Sequence, residues 1–191
     1  MSYTTPARFH QAELAIKKSR FIAWADKVAN REQAMAFLQK AKQAYPDARH
    51  HCWAYQIGDP RSPSNAAMSD DGEPSGTAGK PILNVLNHKD VGDVMVIVIR
   101  YFGGIKLGAG GLVRAYSGSA EMVMSQLPLQ VNVATIEQVI EVSFADEQRI
   151  RHWLSQHDGE VNTVNYSQQV TMTVTLPQEH KTTLQAFLAG I

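Results

Sequence analysis

Arg100-Tyr101-Phe102-Gly103-Gly104-Ile105-Lys106-Leu107-Gly108-Ala109-Gly110-Gly111 is the stretch on which the fold turns. An apolar run, Val94 to Ile99, precedes it, and a segment with helical periodicity follows. The order is that of a buried strand, a glycine-rich loop with two cations, and a helix start. Backbone N–H groups at a helix N-terminus carry partial positive charge and receive phosphate or carboxylate. Glycines let a ligand approach the backbone closely. The residues therefore nominate Arg100, Gly103, Gly104, Lys106, Gly108, Gly110, Gly111 and, one turn on, Arg114 as an anion or nucleic-acid site. No Gly-Lys-Ser/Thr follows, so this is not a Walker loop, and the third glycine of a dinucleotide fingerprint is missing. The same glycines serve equally well as a tight turn packing helix against sheet.

Outward from this loop, the strand Val94–Phe102 shows no polar alternation, so both its faces should be covered. The following helix places Leu112, Tyr116, Val123 and Leu127 on one face. Arg114, Ser117, Gly118, Glu121 and Ser125 lie on the other, and Pro128 stops it. Upstream, Leu14–Ile16 and Phe21–Trp24 read as strands around a polar bend at Lys17-Lys18-Ser19-Arg20. Asn30 caps a helix, with Gln33 at the reciprocal position. That helix buries Ala34, Phe37, Leu38, Ala41 and Tyr45, and Pro46 closes it. His50–Ile57 reads as a strand, Asp59–Gly79 as a long loop and Thr77–Leu86 as a helix. Tyr101 and Phe102 read as core rather than as a base-stacking pair.

The 128–134 segment is the best domain boundary, separating residues 1–130 from residues 135–191. Beyond it the order is strand, helix, hairpin and helix, with Ile140, Val142 and Phe144 facing inward. Val170, Met172, Val174 and Leu176 alternate with Thr171, Thr173 and Thr175. This βαββα order is ferredoxin-like without its final strand, which is either missing or lies beyond Ile191. The fold class is α+β.

Composition narrows the function. Of 191 residues, 44% are hydrophobic and 19% charged, a globular balance. Lys+Arg and Asp+Glu are equal at 18 each. Residues 1–130 hold 15 Lys/Arg against 11 Asp/Glu, and residues 131–191 hold 3 against 7. The front part is thus mildly basic, short of a dedicated nucleic-acid binder. Cys52 is the single cysteine, so no intrachain disulfide forms. With no apolar signal region and no apolar run of about 20 residues, the chain reads as cytoplasmic and not membrane-bound.

Two further constellations bear on chemistry. The loop 69–81 contains Asp70, Asp71 and Glu73, followed by Thr77 and Lys80. Its carboxylates suit a hard cation or a solvated turn, or Asp71 and Glu73 cap the following helix, and they lack calcium-loop spacing. In His50-His51-Cys52, His50 and Cys52 share one face of a strand and His51 the other. Two such ligands do not make a zinc site, and Cys52 reads as a small buried residue. His50, Asp71, Glu73, Thr77 and Lys80 form a candidate pocket with the glycine loop. No residue is assigned a catalytic role, and neither a metal nor a cofactor is expected.

The chain resembles the IMPACT family, and in particular its bacterial branch. The resemblance rests on Ala48-Arg49-His50-His51-Cys52-Trp53-Ala54-Tyr55, on Ser69 through Pro81, and on Arg100 through Gly108 running into Leu112-Val113-Arg114-Ala115-Tyr116. It covers roughly residues 14–127. His51 departs from the family pattern, which has Asn there. The resemblance implies a front βαβ domain of the ribosomal protein S5 domain 2-like type and a ferredoxin-like rear domain. It also implies a link to translation, since eukaryotic members regulate initiation by competing for the activator of a stress-responsive kinase. That partner does not transfer to a bacterial-type chain, and no enzymatic activity transfers either. The leading expectation is a non-enzymatic regulatory or binding protein engaging RNA or a ribosome-associated partner through the front domain. One alternative is an enzyme acting on a small phosphorylated or carboxylated substrate between loops 69–81 and 103–111. The other is a protein-interaction module using the edge of the rear sheet. The oligomeric state is not encoded in any of these features.

Overall fold

The computed structural model describes residues 2–191, and the chain divides into two compact units. One is Tyr3–Asn132; the other is built from residues 133–191. The protein is mixed α and β, with a small C-terminal unit.

The first unit has β1 (Tyr3–Pro6), β2 (His10–Ile16), β3 (Ser19–Lys27), α1 (Arg31–Ala44), β4 (His50–Ile57) and β5 (Asn65–Ser69). These are followed by α2 (Gly79–His88), β6 (Val94–Tyr101), α3 (Gly108–Gln126) and β7 (Leu129–Asn132). Five strands form one sheet in the order β2-β3-β6-β4-β5, every pairing antiparallel. Both β3 and β4 are antiparallel to β6 between them, so they run parallel to each other. The helix α1 joins them, making a split β-α-β crossover around the central strand.

The sequence of β6 explains the layers. Val94, Val96 and Val98 pack with Ile82 and Leu86 of α2 and with Leu112, Tyr116 and Val123 of α3. Met95, Ile97 and Ile99 pack on the opposite side with Ala34, Phe37, Leu38 and Ala41 of α1. Two-sided burial, not a parallel environment, is the cause of the uninterrupted apolar run. The α1 cap has the expected reciprocal form. Asn30 Oδ1 accepts from the Gln33 N–H at 2.9 Å, and Gln33 Oε1 accepts from the Ala29 N–H at 2.8 Å.

Some elements differ from the sequence reading. The expected loop 59–79 contains β5, which pairs with β4 from Trp53↔Ser69 to Ile57↔Asn65. Its exposed, weakly alternating Asn65-Ala66-Ala67-Met68-Ser69 carries little periodic signal. The strands β1 and β7 pair with each other outside the main sheet, so residues 129–132 close the first unit. The β2–β3 hairpin turns through Lys17 and Lys18, both left-handed at φ 46° and 66°. Two lysines replace the Asn-Gly pair that usually marks such a turn.

The second unit has β8 (Thr135–Val142), α4 (Glu147–Gln156), β9 (Glu160–Tyr166), β10 (Val170–Pro177) and α5 (Lys181–Leu188). Its antiparallel sheet has the order β8-β10-β9. Val170, Met172, Val174 and Leu176 pack with Ile150, Leu154 and Leu184, in the expected βαββα order. Phe144 is not inward as expected: it lies beyond the end of β8, 56% exposed, and stacks on Tyr166.

Candidate functional site

The glycine loop leaves β6 and enters α3 along the wall of a cleft of about 580 Å³. Asp47, Arg49 and His50 line it from the start of β4, and Glu73 and Pro74 from the acidic loop. Arg100, Tyr101 and Phe102 contribute from the end of β6, and Lys106 to Ala109 with Leu112 from the α3 start. The main-sheet register explains part of this convergence, because His50 pairs directly with Arg100 across β4 and β6.

Arg100 anchors the interior of the wall. Its side chain is 8% exposed, and Nη1 donates to Glu73 Oε1 at 2.7 Å. Glu73, 4% exposed at its side chain, also accepts from the Tyr116 hydroxyl at 2.8 Å. The guanidinium lies over the rings of Phe21 and Phe102, at 5.6 and 5.7 Å from their centroids. Arg100 Nε is buried and has no hydrogen-bond partner. A buried guanidinium N–H without an acceptor is costly.

The Cys52 thiol lies 2.9 Å from the Asp70 carbonyl oxygen and 3.4 Å from the Tyr116 oxygen. Burial pushes its pKa well up, and nearby Glu73, Asp71 and Asp70 push it further. Cys52 is thus a packed thiol, not an activated one. Burial likewise raises the Tyr116 hydroxyl, which stays protonated as a donor to Glu73. His50 Nδ1 donates to the Asp71 carbonyl at 2.8 Å, so Nε2 is the unprotonated nitrogen of the neutral ring. Burial lowers the pKa of His51, against the opposing charge of Asp71, and His51 Nε2 sits 3.1 Å from the Tyr45 carbonyl oxygen.

The acidic loop is structural over most of its length. Asp70 accepts from the backbone N–H groups of Gly76, Ala78 and Gly79, closing the loop onto the start of α2. Partial burial opposes its ionisation. The three donors outweigh that effect and hold its pKa below the usual carboxylate range. Asp71 accepts from the His51 N–H at 2.7 Å. With Glu73 on Arg100, the three carboxylates point to three different partners. Among the described residues no group of three or more His, Cys, Asp or Glu is placed to hold a metal ion.

Of the sequence candidates, His50, Glu73, Arg100, Lys106 and Gly108 share the cleft wall. Gly103 has a packing reason instead, since a Cβ there would come within 2.0 Å of the Lys18 backbone. Gly108 starts α3 at φ 72°, a left-handed conformation that suits glycine. Gly104, Gly110, Gly111, Arg114, Asp71, Thr77 and Lys80 are not among the lining residues. Thr77 donates its hydroxyl to the Pro74 carbonyl, and Lys80 is exposed on α2. Sequence reasoning missed Asp47, Arg49, Tyr116, Leu107 and Leu112 as site residues, and it placed Phe102 in the core, where the structure leaves it 57% exposed. Tyr116 had a findable signal, a hydroxyl on the apolar face of α3 that needs a buried partner.

The Impact N-terminal domain matches residues 17–124, so it encloses every residue of this cleft. The chain belongs to the IMPACT family. A domain of unknown function (DUF1949) matches residues 140–191. The chain is 40% identical over 174 residues to IMPACT family member YigZ of Escherichia coli, covering 91% of this chain and 85% of that protein. It is 48% identical over 118 residues to IMPACT family member YvyE of Bacillus subtilis, covering 62% of this chain and 54% of that one. A solved structure described as a hypothetical protein superposes with a TM-score of 0.74 at 38% identity, covering 99% and 92% of the two chains. In this IMPACT chain no helix among the described residues is long and apolar enough to cross a membrane.

Proposed function

We propose that this IMPACT protein is a translation-linked regulatory protein whose N-terminal domain engages RNA through the cleft between β6, α3 and the acidic loop. The link to translation follows from family membership and from the role of eukaryotic members stated above. The observation that supports RNA is electrostatic. Arg49, Arg100 and Lys106 line one cleft with the start of α3, whose first turn has no side-chain cap and no acidic residue. Of the two carboxylates on that wall, Glu73 is neutralised by Arg100, and Asp47 accepts from the Tyr101 hydroxyl. Arg49 and Lys106 enter no ion pair among the described residues. Their charge is available to phosphates, which supply affinity and salt dependence rather than sequence choice.

Binding of single-stranded RNA measured against salt tests this reading. Wild type binds with affinity that falls as salt rises, and Lys106→Ala binds more weakly with a shallower slope. Equal affinities, or no salt slope, would sink the RNA reading. A second reading, an enzyme acting on a small phosphorylated substrate, draws on the position of His50. Its ring lines the cleft with the tautomer set by the Asp71 carbonyl, as an acid/base group needs. Turnover of phosphorylated metabolites by wild type, abolished in His50→Ala, would favour it. The absence of turnover would leave the binding reading.

A further inference from the structure

We infer that the cleft takes a single nucleotide bearing a terminal phosphate monoester, either a free nucleoside monophosphate or the 5′-phosphorylated end of an RNA. This deepens the proposal that the cleft binds RNA, and it rests on that proposal for the location of the site. Three independent features converge on this chemistry.

The first is the donor set. The start of α3 offers backbone N–H groups that no side chain among the described residues caps. Lys106 on the same wall enters no ion pair among the described residues, and the Arg100 side chain lines that wall as well. Donors from a helix end, an ammonium and a guanidinium outnumber the two non-bridging oxygens of a phosphodiester. A monoester presents three such oxygens and a charge approaching two at neutral pH. It gains more from this donor set than an internal linkage does.

The second is size. About 580 Å³ lies within the range of pockets that enclose one small molecule. Single-strand binding grooves instead track several nucleotides. A cleft of this volume holds one nucleotide.

The third is the aromatic lip. Phe102 is 57% exposed although it directly follows the most buried strand among the described residues. One side of its ring faces the Arg100 guanidinium, which lines the phosphate end of the cleft. Leu107 and Leu112 add apolar wall. An exposed ring within a few residues of an anion-binding helix start suits a ligand with a phosphate at one end and a flat base at the other. Glu73 accepts from Arg100 from within and Tyr116 donates to Glu73, so the two act as positioning residues that hold the guanidinium at the wall.

The test uses the full chain and four probes, read by calorimetry or fluorescence anisotropy. The probes are inorganic phosphate, AMP, a 5′-phosphorylated oligoribonucleotide and the same oligomer with a 5′-hydroxyl. AMP should bind about tenfold or more tightly than phosphate, and Phe102→Ala should remove that advantage, given the usual worth of base stacking on an aromatic side chain. The phosphorylated oligomer should bind about tenfold more tightly than the hydroxyl form. Phe102 is exposed, so its truncation leaves the folded core untouched, and a circular dichroism melt confirms that. An AMP affinity matching that of the phosphorylated oligomer identifies the free nucleotide as the source, and a tighter oligomer identifies an RNA end. Equal binding of the two oligomers overturns the monoester inference while leaving RNA binding intact. Binding of phosphate and AMP alike, unaffected by Phe102→Ala, overturns the nucleotide. Failure of all four probes to bind overturns both this inference and the RNA reading.

Discussion

Two helix starts, at α2 and α3, are treated in opposite ways by the same domain. Both open after a glycine-containing loop that sequence alone makes a candidate ligand loop, for a cation at α2 and for an anion at α3. At α2 the anion is built in: Asp70 reaches the N–H groups of Ala78 and Gly79 and also that of Gly76. At α3 no side chain caps the first turn, and Lys106 and Gly108 line a cleft with the buried Arg100. A helix start capped by its own carboxylate is a structural joint. One left uncapped beside Lys106, which enters no ion pair among the described residues, fits the ligand site proposed above. The difference argues that loop 69–81 holds the fold together and that loop 103–111 receives a ligand, although both look like ligand loops in the sequence.

The most damaging way to disturb this contrast is to remove the one carboxylate of the acidic loop that lines the cleft. Glu73→Ala leaves the buried Arg100 charge without its partner, and losing one member of a buried pair costs about 3–5 kcal/mol. Urea denaturation should show that loss, with a smaller one in Glu73→Gln, which keeps an oxygen to accept from Arg100 and Tyr116. A loss below about 1 kcal/mol would mean that the Arg100 charge is solvated from the cleft and needs no internal partner.

Next in size is the α2 cap itself. Asp70→Ala should cost about 1–2 kcal/mol, as loss of an N-cap carboxylate does. It carries a pH signature. The folded-state pKa of Asp70 lies below its unfolded value, so its stabilisation is full above about pH 4 and is lost as pH falls through the folded value. Wild type should lose stability over that acid range, and Asp70→Asn should lose less there. Identical acid profiles would remove Asp70 as the electrostatic cap of α2.

The smallest stability effect belongs to the ligand side. Lys106 is exposed and enters no ion pair among the described residues. Lys106→Ala should leave stability within about 0.5 kcal/mol of wild type in urea denaturation. Its effect should appear in phosphate-dependent binding alone. A large stability loss would place Lys106 in the fold instead of the site.

The contrast was only half legible in the sequence, for identifiable reasons. Periodicity places β6, α1 and α3, because two-sided burial and an amphipathic stripe leave strong patterns at Val94–Ile99 and at Leu112–Val123. It does not place β5 or the β1–β7 pair, which are short and decided by strand pairing, β5 and β7 being largely exposed as well. His50, Glu73, Arg100, Lys106 and Gly108 can be named from residue chemistry. Which carboxylate meets Arg100 and which caps α2 is settled by three-dimensional contacts that neighbouring positions in Asp70-Asp71-Gly72-Glu73 do not encode. Phe102 shows the limit most clearly. Its position at the end of an apolar run suggests burial, yet the strand ends at Tyr101 and the next ring is exposed at the cleft.

The most direct measurement is an amide chemical-shift titration of the full chain with AMP. The account predicts saturable shifts at the N–H groups of residues 108–111 and at Phe102, while those of Gly76, Ala78 and Gly79, already held by Asp70, stay in place. Shifts confined to residues 76–79, or none at residues 108–111 at saturating AMP, would contradict it.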